Sequence, residues 1–541
     1  MSLYGSSHIA PYKCRTLSGT SVASPVVSAV VALLLSTTSN GYSSIRPMLA
    51  KRDLRNVAAV KQILHASSEM VGQSSMYEVG SGLLNVDTAI ETAISFTPHA
   101  SLYPDYISNF PEMCPYYTPY CNQKLFYGSM PLIFNLTVLN SISVRSAIVG
   151  FQWEEVTHAR ANKAMHEYDS GIISTNFTIY IEENDSNPIG IVYVTGGVLQ
   201  LKIQYNKILY PWTGFVAIGY TVKEDSKDFI GYIKGNLKVL IRPLQPSTLD
   251  VDDDTTVEEA LFETEIGIVA PIPRNKRILW DIYHNINYPS AYIPKDDLRD
   301  DRYMLDWFGD HPYTNYRMLH QQLVKYGYSV ELLRSPWSCF DASQYGILLV
   351  IDPEKEFTIN EINKLQNDIV TTSLSVIMIG DWYDPTELLN LRFEDDNTHS
   401  RWYPIVGGAN IPSINQFLRG YNASFGLHAF EGEFYIGDEM IKFLSGNTIA
   451  EWPAGGDLLT TTAYKINPTI KKYLRSDMSS TQSVGGGMTI PRLDGVKQDG
   501  GRIVVYGDSN CWDSSSQHIN KRIGDVTDKS SWNGCTLLFK S

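Results

Sequence analysis

The amino-acid sequence predicts a multidomain protein of mixed α/β and β class, and three observations predict it. Apolar residues recur at helical spacing over residues 1–97, as at Val60, Ile63 and Leu64. Residues 98–245 change to short alternating runs rich in Tyr, Pro, Gly and β-branched residues. From residue 275 to 541, apolar strands alternate with amphipathic helical stretches. An acidic, Pro-containing linker is expected over 246–274. At about 100–200 residues per domain, a length of 541 residues suits three or four such units.

The first unit is expected to be helical, with a small, wholly apolar helix over 22–35 that belongs in a core rather than on a surface. A second helix is expected over 57–69. Gly80 and Gly82 break the pattern before a third over 83–93. The middle unit reads as an antiparallel β-sandwich, with alternation at 132–139, 177–181 and 237–241. Asp250, Asp252, Asp253, Asp254, Glu258 and Glu259 mark the linker as solvated; they lack the glycine and spacing of a calcium-binding loop. The last unit is expected to hold parallel strands at 277–281, 328–333, 346–352, 374–380 and 502–507, with helices at 313–326 and 359–370.

Charge and composition exclude several functions. The chain has 44 Lys and Arg against 58 Asp and Glu, a net charge of −14. That argues against nucleic-acid binding and against docking on an anionic membrane. No apolar run reaches the ~20 residues of a membrane span; the run 26–35 is interrupted by Ser28. Of the 6 cysteines, none forms a CxxC pair, so a zinc ribbon is not expected. Cys114 and Cys121 are spaced to close a small disulfide loop. Asn135, Asn176, Asn184 and Asn422 each open an Asn-x-Ser/Thr sequon, so they are candidate glycosylation sites. Together these features point to an oxidising, lumenal or extracellular setting.

The segment with the clearest chemistry is Ser18-Gly19-Thr20-Ser21-Val22-Ala23-Ser24-Pro25, which leads into the apolar helix. Ser21 at a helix N-terminus would sit among free N–H groups and the positive end of the dipole, where negative charge is stabilised. Its own N–H could serve an oxyanion. Gly19 permits close approach, and Pro25 suits a first helical turn. Without further context, a serine N-cap would account for the same residues.

Gly19-Thr20-Ser21-x-Ala23-x-Pro25 resembles the catalytic-serine motif of the subtilisin-like serine proteases. Val60-Lys61-x-x-Leu64-x-x-Ser67 and Gly80-x-Gly82-x-Leu84-Asn85-x-x-x-Ala89 resemble the family's following elements in the same order. Downstream, Cys114-Pro115, Tyr127-Gly128-x-Met130-Pro131, Leu279-Trp280-Asp281, Gly407-Gly408-Ala409-Asn410 and Gly507-Asp508-Ser509-Asn510-Cys511 are similar to a membrane-anchored Golgi branch of that family. The resemblance implies that residues 1–97 are the C-terminal part of a subtilisin-like catalytic domain. It implies Ser21 as nucleophile, supported by Gly19, Thr20 and Pro25, and an acyl-enzyme mechanism. It also implies protein substrates, namely lumenal segments of membrane-bound transcription-factor precursors, in the endoplasmic reticulum or Golgi lumen. The family prefers Arg four residues before the cut and an aliphatic residue two before it. Its calcium belongs to the catalytic domain of a complete member; no metal ligand set and no cofactor is assigned in this chain.

The family orders its triad Asp, His, Ser, so both partners are expected upstream of Met1, together with the Asn of the oxyanion hole. Asp169-Ser170-Gly171 imitates the Asp motif but follows Ser21, and none of the 11 His residues has a base partner beside it in sequence. The chain is therefore expected to be N-terminally truncated and inactive alone. Two alternatives concern the last unit. Gly507-Asp508-Ser509 resembles a GDS-type esterase nucleophile, but only His518 follows it. The unit also resembles flavodoxin-like and class I glutamine-amidotransferase-like domains, whose Cys elbow is replaced here by Gly380-Asp381-Trp382. On that basis the alternative is a non-catalytic lumenal binding or regulatory protein, acting through its β and α/β domains.

Overall fold

A computed structural model describes residues 3–6, 14–17, 19–36, 56–71, 79–110, 123–159, 173–180, 187–244, 257–286, 293–298, 310–395, 399–436, 438–466, 479–491 and 499–513. The chain divides into two compact units, Met1–Pro271 and Ile272–Ser541.

The first unit opens with an antiparallel pair, Leu3–Ser6 with Cys14–Leu17, and three helices, Thr20–Ser36, Val57–Ala66 and Val86–Ser95. Val30, Leu34, Ala59, Ile63, Ala89, Ala93 and Phe96 form their common core. In the helix Thr20–Ser36 only Val30 and Leu34 are buried, while Val27 and Leu33 are exposed, so the apolar helix is only partly covered in this chain. Its apolar character all round exceeds what two neighbouring helices can cover.

Three positions of the Gly80–Ala89 pattern have a physical cause. Gly82 has φ 117°, and a Cβ there would lie 2.1 Å from the Glu69 carbonyl oxygen, where Glu69 and Leu83 exchange backbone hydrogen bonds. Asn85 caps the third helix by accepting from the Thr88 N–H, and Ala89 is fully buried.

Two sheets follow, antiparallel throughout except that Tyr106–Ser108 pairs parallel with Glu258–Ile268. One has five strands, in the order Ala100–Tyr103, Leu132–Asn140, Phe215–Val222, Leu199–Asn206, Ile189–Thr195. The other has six and is centred on Ser146–Ala159, Gly231–Pro243 and Glu258–Ile268. Strict alternation drives the packing. Leu199, Leu201, Ile203 and Tyr205 point into the core, and Gln200, Lys202 and Gln204 point out. Both sheets contribute to one core that includes Phe134, Trp153, Tyr220 and Phe262, as in a sandwich.

The strand Glu258–Ile268 corrects the linker expected over 246–274. It pairs along its whole length with Gly231–Pro243 and buries Ala260, Phe262, Thr264, Ile266 and Ile268. Glu259 and Glu263 occupy the outward positions. An acidic composition therefore conceals a period-two strand.

Trp153 is held against a glycine on the neighbouring strand. A Cβ on Gly235 would fall 1.9 Å from Cη2 of this buried indole, whose Nε1 donates to buried Glu155. Gly235→Ala is expected to destabilise the sandwich by about 1–3 kcal/mol through overpacking. Hydrogen exchange in Ser146–Ala159 and Gly231–Pro243 reports it; unchanged protection would refute the steric reading.

In the second unit the parallel strands are Arg277–Asp281, Ser329–Leu333, Ile347–Ile351, Ser375–Ile379 and Asp499–Tyr506. Counted along the chain, they lie side by side in the order 2-1-3-4-5, the flavodoxin-like arrangement. Helices Arg317–Lys325 and Ile359–Thr372 make the connections, the latter opened by a Thr358–Glu361 capping box. The sheet then continues into antiparallel strands Ser479–Pro491, Glu439–Glu451, Ser424–Ile436 and Asp457–Lys465. The sequence does not announce this extension, because glycines interrupt its alternation. They are there for close approach: a Cβ on Gly446 would sit 2.1 Å from the Gly507 carbonyl oxygen.

Candidate functional site

Ser21 lies in the first turn of helix Thr20–Ser36, and its side chain is exposed. Gly19 precedes the helix at φ 153°, and its carbonyl accepts from the N–H groups of Val22 and Ala23. The N–H groups of Thr20 and Ser21 make no helical bond, as the first donors of a helix cannot. Pro25 lies inside the helix rather than in its first turn. Lacking an N–H, it leaves the Ser21 carbonyl without its i+4 donor. Among the described residues, no His or carboxylate hydrogen-bonds to Ser21.

Asn135 is exposed on the outer face of strand Leu132–Asn140. Asn422 is exposed with φ 55°, at the end of a short turn. Asn176 belongs to strand Ile173–Tyr180, but its side chain lies outside the described residues. Asn184, Cys114, Cys121, Ser18, His518 and Asp169 also lie outside them. Cys339 is free and exposed, and Cys511 is disulfide-bonded.

In the second unit, polar residues collect at the carboxyl ends of the parallel strands, which is where open α/β sheets take ligands. After strand Ser375–Ile379, Asp381 occupies the position of an amidotransferase elbow, fully buried. Its Oδ2 accepts from the Ser509 N–H (3.2 Å), the Ser509 hydroxyl (2.8 Å) and the Asn510 side chain (2.9 Å). Its Oδ1 accepts from the Trp382 N–H at 2.6 Å. Burial pushes its pKa up, as do the nearby Asp352 and Asp508, and these donors oppose that shift. Ser509 is itself fully buried, with its hydroxyl committed to Asp381. That geometry excludes an esterase nucleophile at Ser509.

The same edge carries a pairing that the sequence conceals. His284 Nδ1 lies 2.6 Å from Asp281 Oδ2, and Nε2 lies 3.2 Å from Glu361 Oε1. Trp337 Nε1 also donates to Asp281 Oδ2. Asp281 stands three positions before His284, so the pair is local in sequence without being adjacent. All of these groups are buried, and the cluster ties strand Arg277–Asp281 to helix Ile359–Thr372.

A second group lies alongside. Asp296, Asp310 and Asp352 bring carboxylate oxygens within 4.8 Å of one another, all buried. Glu354 is buried with them, with its carboxyl in hydrogen-bonding reach of Asp310. Burial pushes Asp310 up to about 6, and holds Asp352 and Glu354 well above the usual carboxylate range. No motif links these residues in sequence, because Asp296, Asp310 and the Asp352–Glu354 pair arrive on three separate segments.

Comparison with known proteins follows this architecture. A family model described as "MBTPS1, third Ig-like domain" matches residues 103–174 and 185–269. Another, "MBTPS1, fourth GATase-like domain", matches 272–523. Membrane-bound transcription factor site-1 protease of Mus musculus is 36% identical over 503 residues, covering 93% of this chain and 42% of that protein. The Homo sapiens protein of the same name is also 36% identical over 503 residues, with the same coverage. Subtilisin-like protease SBT6.1 of Arabidopsis thaliana is 35% identical over 513 residues, covering 94% of this chain and 44% of that protein. The chain thus spans 42–44% of the length of these curated relatives. With its Ig-like and GATase-like domains in place and this identity over nearly its whole length, the chain belongs to the site-1 protease family of subtilisin-like proteases.

Proposed function

We propose that the chain is part of a serine endopeptidase of the secretory pathway, with Ser21 as its nucleophile and residues 1–97 as the C-terminal part of a subtilisin-like catalytic domain. The observation that carries this is Gly19-Thr20-Ser21-x-Ala23-x-Pro25 at the opening of helix Thr20–Ser36, with Ser21 exposed. The Ser21 hydroxyl attacks the scissile carbonyl, a His takes its proton, and the free N–H of Ser21 helps hold the oxyanion. Substrates are lumenal segments of membrane-bound transcription-factor precursors, and the site of action is the endoplasmic reticulum or Golgi lumen. The sequons at Asn135, Asn176, Asn184 and Asn422 and a Cys114–Cys121 bridge suit that compartment. Among the described residues no helix is long and apolar enough to cross a membrane.

The chain by itself is inactive in this proposal, because no described His reaches Ser21. A fluorophosphonate probe tests both halves. It is expected to leave the purified chain unlabelled. It is expected to label Ser21 in a chimera that joins this chain behind the N-terminal portion of the Mus musculus relative. Labelling of the chain alone would overturn the inactivity, and an unlabelled, folded chimera would overturn Ser21 as nucleophile.

Residues 275–541 act without catalysis of their own. The burial of Ser509 against Asp381, and an Asp in place of the elbow nucleophile, favour that role. Binding of a lumenal protein by these domains should then survive Ser21→Ala; a pulldown that fails with this variant would contradict it.

A further inference from the structure

The carboxyl edge of the second unit gathers several buried carboxyl groups. Asp310 is 7% exposed, Asp352 0% and Glu354 2%. Some of their oxygens have donors. Asn315 donates to Asp310 Oδ1 at 2.9 Å, the Ile286 N–H to Glu354 Oε2 at 2.8 Å, and the Tyr316 hydroxyl to Asp352 Oδ2. These contacts orient the carboxyl groups and leave one oxygen of each turned elsewhere. No described residue donates a hydrogen bond to buried Asp310 Oδ2, Asp352 Oδ1 or Glu354 Oε1. An unsatisfied buried carboxylate oxygen is costly, and several together are tolerated when something positive lies between them.

Topology locates the group independently of its charge. With the parallel strands in the order 2-1-3-4-5, the chain reverses its direction of winding between Arg277–Asp281 and Ile347–Ile351. Ligands of such sheets bind outside the strand ends at that switch point. Asp352 is the residue directly after strand Ile347–Ile351, held at φ 45°, with its carbonyl accepting from the Asn285 side chain at 2.9 Å. A non-glycine residue in the left-handed region is uncommon, and such backbone concentrates at ligand sites.

We propose that Asp296, Asp310, Asp352 and Glu354 form a binding site for a hard divalent cation, Ca²⁺ or Mg²⁺, in the GATase-like domain. The donors are all oxygens, which selects such ions over zinc or copper. Ca²⁺–oxygen distances of about 2.3–2.6 Å put any two donors of one ion at most about 5 Å apart. The three aspartate oxygens, within 4.8 Å of one another, meet that limit. Glu354 is the independent element: its side chain is nearly fully buried, its carboxyl faces Asp310, and no described residue donates to its Oε1. The site owes nothing to Ser21 and stands whether or not the protease reading does.

The test is calorimetric titration of the full chain, stripped with EDTA, by CaCl₂ and separately by MgCl₂, with thermal unfolding alongside. Expected is one equivalent of at least one ion per chain, together with a cation-dependent rise in the melting temperature of the second unit. Asp352→Asn and Glu354→Gln should each weaken or abolish the binding. Without cation they should melt above the stripped wild type, because each removes a buried negative charge from the cluster. Absence of 1:1 binding by wild type for both ions at millimolar concentration overturns the proposal and leaves Asp310 and Glu354 as a proton-sharing pair. Binding by Glu354→Gln with wild-type affinity would also overturn it, and that variant decides the matter if Asp352→Asn does not fold.

Discussion

Ser21→Ala, made in the chimera that supplies a catalytic Asp and His, is expected to lower kcat by on the order of 10⁶, as removal of the nucleophile does in subtilisin. That loss corresponds to about 8 kcal/mol of transition-state stabilisation. Covalent chemistry through the Ser21 hydroxyl vanishes, and only substrate binding and the oxyanion donors remain. Those donors are backbone N–H groups at the start of helix Thr20–Ser36, which the substitution leaves in place. KM should therefore change little while kcat collapses. Ser28→Ala is the control, since that hydroxyl donates to the Ser24 carbonyl within the same helix; its kinetics should match the parent chimera. A fluorogenic peptide with Arg four residues before the cut and an aliphatic residue two before it reads both variants. If Ser21→Ala retained more than a small fraction of parental kcat, Ser21 would not be the nucleophile.

Legibility in the sequence followed chain distance. The motif around Ser21 is local, so Gly19, Thr20, Ser21 and Pro25 can be read together, although the place of Pro25 within the helix cannot. Helix Ile359–Thr372 is legible from its period and from the Thr358–Glu361 box, three residues apart. The parallel strands are legible as apolar runs because both of their faces are covered. Strand Glu258–Ile268 is not, since its outward glutamates dominate the composition while Ala260, Phe262, Ile266 and Ile268 carry the core. The carboxylate group is invisible for a different reason. Asp296, Asp310 and Asp352 lie on three segments that only the sheet brings together, so no spacing rule finds them. Asp281 and His284, three positions apart, could have been found by a search for Asp-x-x-His pairs at strand ends.

Arg277→Met is expected to destabilise the second unit by about 3–5 kcal/mol. Arg277 begins the strand Arg277–Asp281, next to the edge strand Ser329–Leu333, and is 5% exposed. Its Nε and Nη2 donate to Glu331 on the adjacent strand at 3.2 and 3.3 Å, and its guanidinium stacks 4.7 Å from the centre of the Tyr345 ring. The Tyr345 hydroxyl donates to the same carboxylate at 2.9 Å. Glu331 is itself 1% exposed, so removing the cation strands a carboxylate in the interior with only the Tyr345 hydroxyl and its other contacts to hold it. The cost comes from that stranded charge rather than from the worth of the pair, because attraction and desolvation nearly cancel when both ions are present. It follows that Arg277→Met with Glu331→Leu should recover most of the loss, and could exceed the wild type. Hydrogen exchange of the peptides spanning Arg277–Asp281 and Ser329–Leu333 measures both variants within this unit alone. A double variant as unstable as Arg277→Met would show instead that the pair contributes directly, through geometry that apolar side chains of similar size cannot replace.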